Sequence, residues 1–237
     1  MLVSTCNWQI IEDFLKSDDR CVLPIGCTEQ HAYLSLSTDS ILAEKVSLDA
    51  AKPLKIPVFP VMPYGATPQF MAYPGTITLR IDTLCRVVED ILDSLVHHGF
   101  KRILIVNGHG GNSPLANFIQ EWKLAQWKAG RDDIKIKFHN WWNAPKTWAK
   151  VQEIDPVASH ASWMENFPWT RLENVLQPTE QKEMVDFDTL KLSNPEEVRE
   201  LLKEGNFGGY FSRSDEEILA LWQVAIKETR ELLEKNW

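Results

Sequence analysis

The amino-acid sequence predicts a three-layer α/β/α fold with a mostly parallel central sheet. Short runs of apolar, β-branched residues alternate along the chain with longer segments in which apolar residues recur at helical spacing. Strands that alternate with helices in this way are typical of a parallel sheet covered on both faces. Because the 237 residues contain no internal repeat, low-complexity tract or linker, we expect one domain over residues 1–237.

The first half of the chain contains two strong helix patterns and several short strand patterns. The strongest helix pattern, at 81–98, carries a continuous apolar stripe and ends at Gly99. Prolines at 56–61 indicate an irregular or edge strand. In chain order we predict a helix at 7–16, a strand at 20–26, a helix at 40–51, a strand at 56–61, a loop at 62–75, a brief strand at 76–79 and a helix at 81–98.

The second half begins with the clearest strand–turn–helix unit of the chain. An apolar run at 101–106 predicts a buried strand, a glycine-rich turn follows it, and Ser113-Pro114 opens a helix pattern at 115–128. Beyond this unit we predict a strand at 134–139, a loop and broken helix at 140–168, a helix at 197–203, a turn-rich loop at 205–210 and a helix at 215–235.

The composition argues against two classes of partner. A net charge of −8 without a basic stripe argues against nucleic acid, because no surface would neutralise phosphates. No apolar run approaches the length that spans a bilayer, which argues against a membrane. Residues 1–16 lack a basic region followed by an apolar core, so we expect a cytoplasmic protein whose partner is a small-molecule substrate.

The cysteines and tryptophans allow more than one interpretation. The four cysteines stand at no metal-finger or CxxC spacing, and Cys27, two residues before Glu29, would need a neighbouring base to act as a nucleophile. We therefore interpret them as small apolar residues of the core or of turns. The ten tryptophans suit a core, a flat-walled pocket or a subunit interface. Half of them cluster in the second half of the chain, at Trp141, Trp142, Trp148, Trp163 and Trp169.

The glycine-rich turn places one histidine, His109, at the carboxyl end of a predicted strand. Ligands bind at this end of open α/β sheets, and the three neighbouring glycines leave the imidazole uncrowded. No Gly-Lys-Ser/Thr follows, so the turn is not a phosphate-binding loop. Taken alone, His109 is equally compatible with a hydrogen-bonded turn histidine.

Further potential metal ligands follow other predicted strands. Glu29 and His31 follow the strand at 20–26, and residues two apart on extended backbone point the same way. With Asp39, His109 and Glu165 they form a mixed nitrogen and oxygen set, which suits Zn²⁺, Mn²⁺ or Fe²⁺ better than Ca²⁺. A shared carboxylate, most naturally that of Asp39, could bridge two metal ions.

Each of these residues also has a plain structural interpretation. Asp39 could be a helix cap, Glu29 and His31 a surface turn, and Glu165 a solvated carboxylate. His160 could be an ordinary loop histidine. We interpret the remaining histidines as structural; they are His97, His98 and His139.

The motifs, taken together and in order, resemble the creatininase (creatinine amidohydrolase) family. The resemblance runs through roughly residues 20–170. It rests on Glu29-Gln30-His31 with Thr38-Asp39, Tyr64-Gly65, Tyr73-Pro74-Gly75-Thr76-Ile77, Asn107-Gly108-His109-Gly110-Gly111-Asn112 and His160-Ala161 with Glu165.

The resemblance implies an α/β/α domain with two divalent metal ions per chain, Zn, Mn or Fe, at the carboxyl ends of the strands. By this resemblance Glu29, His31, Asp39 and His109 are metal ligands, with Asp39 bridging. Creatininase has a glutamate ligand two residues after the motif histidine, where this chain has glycine; relatives of the Gly-Gly form use a later glutamate, here Glu165.

The resemblance also implies a reaction, in which a hydroxide held between the metal ions attacks the carbonyl of a small cyclic amide or formamide, as in creatinine. His160 matches the acid/base histidine, and Glu165 is the second candidate for a catalytic role. We expect Tyr64, Gly110, Trp141 and Trp163 to contact the substrate. The implied assembly is a homo-oligomer, such as the hexamers common in the family.

Two departures from the family pattern leave the substrate open. Where many relatives have His-Gly-Pro-His-Leu-Pro, this chain has His31-Ala32-Tyr33-Leu34-Ser35, and where they have Glu-His before the Phe-Pro-Gly motif it has Gln69-Phe70. One alternative is hydrolysis of a carbon–carbon bond in a cyclic keto-inositol. An alternative of another class is a non-catalytic small-molecule-binding module.

Overall fold

A three-stranded parallel sheet lies at the centre of the computed structural model, which describes residues 1–237. Its strands are β1 (Arg20–Ile25), β2 (Arg102–Asn107) and β3 (Lys135–Asn140), in the order β1-β2-β3. Ile25, Asn107 and Asn140 are register partners across the three strands, so all three strands end at one edge of the sheet. The segments that leave this edge carry the candidate site.

Helices cover both faces of the sheet, as the alternating pattern predicts. The larger ones agree with the predicted segments within a few residues at each end. The helices are α1 (Trp8–Leu15), α2 (Thr38–Ala51), α3 (Ile81–His97), α4 (Leu115–Lys128), α5 (Pro145–Ile154), α6 (Phe187–Leu192), α7 (Pro195–Leu202) and α8 (Asp215–Glu234). A two-residue antiparallel pair, β4 (Gln181–Lys182) and β5 (Gly209–Tyr210), joins two of the later loops.

The sheet separates two hydrophobic cores because successive strand residues point to opposite faces. On one face, Val22 and Leu104 pack with α2, α5 and α8. On the other face, Leu23 and Ile103 pack with α3 and α4, and α1 lies against the same core. The predicted three-layer α/β/α class is confirmed.

Two predicted strands are wrong in detail. The segment predicted at 56–61 runs parallel to β1 and exchanges backbone hydrogen bonds with Val22, but it forms only isolated bridges. Its prolines, Pro57 and Pro60, lack the N–H groups that a regular ladder needs. The segment predicted at 76–79 likewise forms only isolated bridges, to Thr28 and Gly65.

The later part of the chain contains more helix than its sequence pattern indicates. Helix α5 lies inside the segment predicted as loop and broken helix, and Pro145 occupies its first position, where a missing N–H costs nothing. Helix α6 is short and largely exposed, so its sequence lacks a long apolar stripe. Among all the helices, none combines the length and the apolar character needed to cross a membrane.

Candidate metal centre

Three segments near the carboxyl edge of the sheet converge on one buried cluster of acidic and histidine side chains. Glu29 and His31 lie in the loop after β1, and His109 lies directly after β2. Asp39 lies in the first turn of α2, where its carboxylate also suits the positive end of the helix dipole. All four side chains are buried, with at most 4% of each residue exposed. The sequence-predicted ligands are therefore brought together.

The first group of potential ligands forms around His109. Its Nδ1 atom lies 3.2 Å from Glu29 Oε1 and 2.9 Å from Asp39 Oδ2. Its other ring nitrogen, Nε2, lies 2.9 Å from the carbonyl oxygen of Ala66, to which it donates its proton. With Nε2 paired to this carbonyl, Nδ1 faces the carboxylates, where a cation could replace its proton. A backbone acceptor that orients a histidine in this way is typical of metal ligands.

The second group forms around His31, on the other side of Asp39. His31 Nε2 lies 3.1 Å from Asp39 Oδ1 and 3.7 Å from Glu165 Oε2. His31 Nδ1 lies 3.2 Å from the carbonyl oxygen of Glu29, which again leaves the other ring nitrogen facing the carboxylates. Asp39 thus presents one oxygen to each group, which is the arrangement that a bridging ligand requires.

The residues in this cluster fit divalent cations. His31 Nε2 and Asp39 Oδ2 are both buried and have no hydrogen-bond partner. Asp39 Oδ2 is close to His109 Nδ1, yet the two atoms are not aligned for a hydrogen bond. Buried polar atoms without partners are costly, and one cation in each group would satisfy both atoms. The donor set of imidazole nitrogens and carboxylate oxygens suits Zn²⁺, Mn²⁺ or Fe²⁺.

The ionisation of the cluster reflects the same crowding of charge. Burial lowers the pKa of the His31 imidazole, but the carboxylates of Asp39 and Glu165 outweigh it and raise this pKa to about 10. Burial raises the pKa of the Glu165 carboxyl to about 7. Burial also opposes ionisation of Asp39, yet His31 and His109 hold the pKa of Asp39 below its usual range. Protons thus balance the carboxylates, and cation binding would displace them.

His160 lies beside the cluster, with its ring held between other side chains. His160 Nδ1 is 3.6 Å from Glu29 Oε1. Its Nε2 is 2.8 Å from Gln30 Nε2 and 3.1 Å from the Gln30 carbonyl oxygen. The ring stacks on Phe70 at a centroid distance of 4.9 Å and packs against Phe207 at 4.8 Å. Burial and the charge of His31 lower the pKa of His160 to about 4, so it is neutral at pH 7.

Glu165 enters the cluster from a tight turn after α5. Its Oε2 accepts a hydrogen bond of 2.6 Å from the backbone N–H of Ala161, four residues earlier. Ala161 has a φ of 57°, a left-handed conformation that brings this N–H and Glu165 together. The turn thus orients the Glu165 carboxylate toward His31 through a local hydrogen bond.

The packing around Gly111 explains why this position of the glycine-rich turn cannot carry a glutamate ligand. A Cβ atom on Gly111 would overlap the carbonyl oxygen of Ala66, the same group that orients His109. Any side chain at this position would therefore push the Ala66 loop away from His109. By contrast, a Cβ on Gly110 would meet no atom within 4 Å.

A cavity of about 670 Å³ opens directly above the cluster. Glu29, Asp39, His109, His160 and Glu165 form part of its lining. Aromatic and amide side chains form half of the rest, and the lining contains no lysine or arginine. These other side chains include Gln69, Phe70, Trp142, Asn143, Trp148 and Phe207.

The residues predicted to contact the substrate lie in different parts of the structure, and only one of them lines the cavity. Gly110 lines the cavity, as expected. Tyr64 is 41% exposed and does not line it. Trp141 and Trp163 are fully buried in the core beneath the sheet and do not line it either. Their positions correct the prediction: the aromatic wall comes from other tryptophans, because Trp141 is turned inward to pack against α8.

Sequence reasoning missed several residues that reach the cluster or its cavity. Gln30 stands inside the Glu-Gln-His motif, but a glutamine carries no metal-ligand signal. Trp142 and Trp148 belong to the recognised tryptophan cluster, whose inward and outward members the sequence does not distinguish. Cys27, interpreted as a core or turn residue, is buried, and its sulfur also lies near the first group of ligands.

Comparison with known proteins identifies relatives over most of the chain. The creatininase family model, described as creatinine amidohydrolase, matches residues 4–233. Creatinine amidohydrolase of Pseudomonas putida is 30% identical over 165 residues, which are 66% of this chain and 63% of that protein. A mycofactocin precursor peptide peptidase of Mycolicibacterium smegmatis is 34% identical over 38% of this chain and 39% of its own length. The matched regions thus span less than two thirds of these curated relatives.

Solved structures share the fold at lower sequence identity. A tryptophan-to-phenylalanine mutant of creatininase superposes with a TM-score of 0.84 at 22% identity, covering 98% of this chain and 97% of that one. A structure titled "Creatininase Mn" gives a TM-score of 0.81 at 21% identity, covering 98% and 97%. These likenesses establish the fold, and the family match confirms the resemblance seen in the motifs. The chain belongs to the creatininase family.

Proposed function

We propose that this protein is a two-metal hydrolase that acts on the carbonyl group of a small cyclic amide or formamide. The observation that carries the proposal is the position of Asp39, whose two oxygens face two separate groups of potential ligands. Glu29 and His109 would hold one cation with Asp39, and His31 and Glu165 would hold the other. Two such cations would lower the pKa of a shared water toward neutrality and polarise the substrate carbonyl.

His160 is the proposed acid/base residue. Its Nδ1 faces the cluster at 3.6 Å from Glu29, while Gln30 and the Phe70 ring fix the orientation of the imidazole. A neutral imidazole at this place can accept a proton from water and pass it to the departing nitrogen. Because Glu165 faces His31 and Asp39, we assign it to metal binding rather than to proton transfer.

The cavity supports an uncharged substrate of small size. Away from the metal cluster, the lining has no lysine or arginine that would pair with a substrate carboxylate or phosphate. The rings of Phe70, Trp142 and Trp148 offer flat apolar walls, while the amides of Gln69 and Asn143 offer a few directed hydrogen bonds. Pockets with apolar walls and few polar groups are typical of small-molecule sites. This lining favours a planar ring with an amide over an extended peptide.

One alternative substrate is suggested by a relative. The 3-dehydro-scyllo-inosose hydrolase of Thermotoga maritima is 26% identical over 45% of this chain and 35% of its own length. The same metal cluster could serve hydrolysis of a cyclic polyol ketone. Such a reaction breaks a carbon–carbon bond and releases no amine, so the products separate the two proposals.

The test is to measure the metal content of the purified protein and then to assay the metal-loaded protein. We expect about two divalent ions per chain, as in binuclear hydrolases, and release of amine or ammonia from creatinine, lactams or formamides. His160→Gln should keep the metal content and lower kcat by about 10²- to 10⁴-fold, the range for loss of a general acid or base. A protein that binds no metal stoichiometrically would instead be a binding module.

We also propose that the protein is a cytoplasmic homo-oligomer. Its four cysteines are all free, which suits a reducing compartment. Two leucines in the later part of the chain, Leu176 and Leu192, are each 89% exposed, and covering them by another subunit would be favourable. Light scattering on the purified protein tests the assembly, and a monomer at micromolar concentration would contradict it.

A further inference from the structure

A cysteine thiol lies inside the first group of ligands. Cys27 Sγ and the ligand atoms of Glu29, Asp39 and His109 all lie within 4.8 Å of one another. Cys27 is fully buried, so its thiol is shielded from solvent. The neighbouring Asp39 Oδ2 is an independent sign of a ligand, because it is buried, faces the same space and has no hydrogen-bond partner.

The backbone around Cys27 is held in place. Its carbonyl oxygen accepts a hydrogen bond of 3.2 Å from Ser40 Oγ, at the start of α2. A Cβ on Gly26 would overlap Ser40, so β1 and α2 are in close contact immediately before the cysteine. The thiol is therefore fixed relative to Asp39 by the contact between two secondary-structure elements, and the loop cannot easily turn it away.

We propose that Cys27 is a thiolate ligand of the cation held by Glu29, Asp39 and His109. This inference rests on the proposed two-metal function. On binding, the S–H bond breaks, the sulfur donates an electron pair to the cation, and the proton leaves to solvent. Thiolate is a soft ligand that favours Zn²⁺ over Mn²⁺, whereas carboxylate and water suit Mn²⁺.

The consequence is a chemical difference between the two metal positions. The group of His31, Asp39 and Glu165 contains no sulfur. The position beside Cys27 therefore selects zinc, while the position beside His31 accepts zinc or manganese. Of two otherwise similar sites that share one bridging carboxylate, only the site beside Cys27 discriminates between zinc and manganese.

Cobalt substitution tests the inference without any assay of activity. Co²⁺ bound to thiolate gives an intense charge-transfer band in the near ultraviolet, in addition to its weaker d–d bands in the visible. We expect both in the cobalt-loaded wild-type protein. Cys27→Ser should lose the charge-transfer band and keep the d–d bands. The matched control is Cys21→Ser. Cys21 is a buried cysteine of β1 in the hydrophobic core on the α3 and α4 side of the sheet, so this variant should keep both bands.

Competition between zinc and manganese gives a second readout. In Cys27→Ser we expect the ratio of zinc to manganese affinity at one site to fall by about tenfold or more, comparable at least to losses from outer-shell changes. Wild-type protein that shows d–d bands without the charge-transfer band would overturn the role of Cys27 and leave the two-metal proposal standing. Wild-type protein that binds no Co²⁺ would overturn both.

Discussion

Replacing Asp39 by asparagine should remove both metal ions, whereas replacing Glu165 by glutamine should remove one. Asp39 presents Oδ1 to His31 at 3.1 Å and Oδ2 to His109 at 2.9 Å, so both positions share it. Glu165 belongs only to the group of His31. Both substitutions keep the size of the side chain and remove one negative charge, which makes each the control for the other.

The expected magnitude follows from binding linkage. At a free ion concentration of about 100 times the Kd, each occupied site adds about 2.7 kcal/mol to the free energy of unfolding. A change of about 1 kcal/mol moves the Tm of a protein of this size by roughly 2–4 °C. Two occupied sites should therefore raise the Tm by about 11–22 °C, and one site by about 5–11 °C.

The assay combines elemental analysis with thermal unfolding, each with and without added Zn²⁺ or Mn²⁺. We expect the metal-dependent rise in Tm to be largest in the wild type, about half as large in Glu165→Gln and absent in Asp39→Asn. Unfolding of the metal-free proteins provides the baseline for each variant. If Asp39→Asn kept two ions and the full rise in Tm, the reasoning about a bridging carboxylate would be refuted.

Three further predictions concern the surroundings of the cluster. Gly111→Ala should lower metal affinity by about 10- to 100-fold, because its Cβ would displace the Ala66 carbonyl that orients His109. Gly110→Ala is the control and should leave metal affinity unchanged. Equal effects of the two substitutions in isothermal titration would contradict this. Burial lowers the pKa of His139 from 6.5 to about 4, so the unfolded chain binds a proton more readily than the folded protein does. The free energy of unfolding should therefore fall by about 3 kcal/mol as the pH falls from 6.5 to 4. Urea unfolding at several pH values should therefore show a flatter pH dependence in His139→Gln than in the wild type. Trp142→Ala should raise KM for a ring substrate while metal content stays constant, and Trp127→Ala, at an exposed position outside the cavity, should not; an unchanged KM in both would argue against an aromatic wall.

Much of the fold could be predicted because the spacing of apolar residues along the chain reflects which side chains are buried. Helix α3 has a continuous apolar stripe along one face, and β2 is buried on both faces of the sheet, so each pattern has one interpretation. The segment at 140–168 is predicted only as loop and broken helix, because the tryptophans and prolines around α5 obscure its apolar spacing. The segment at 56–61 has a strand-like composition, but whether its prolines permit a ladder depends on the neighbouring strand.

The clustering of the potential ligands could be predicted from the sequence, but the walls of the cavity could not. Glu29, His31 and His109 follow strands, and the carboxyl ends of parallel strands meet at one edge, so their proximity follows from the topology. Which tryptophan faces the cavity depends on the rotation of a short turn: Trp141 points inward and Trp142 points out, although they are adjacent. That rotation is decided by packing against α8, which lies far along the chain.

Gln30, in the Glu-Gln-His motif, contacts residues that are synthesised much later than itself. Gln30 Nε2 lies 2.8 Å from His160 Nε2, 130 residues later, and donates to the Gly205 carbonyl, 175 residues later. At roughly 5–20 residues per second, Gly205 is made about 9–35 s after Gln30. The proposed ligands Glu29, Asp39 and His109 all precede that point by far. In a growing chain, these residues are therefore present well before His160 and the loop at Gly205 that anchors Gln30. Ordering of His160 is accordingly a late event, and its protection from exchange would report that the chain has folded to its final loops.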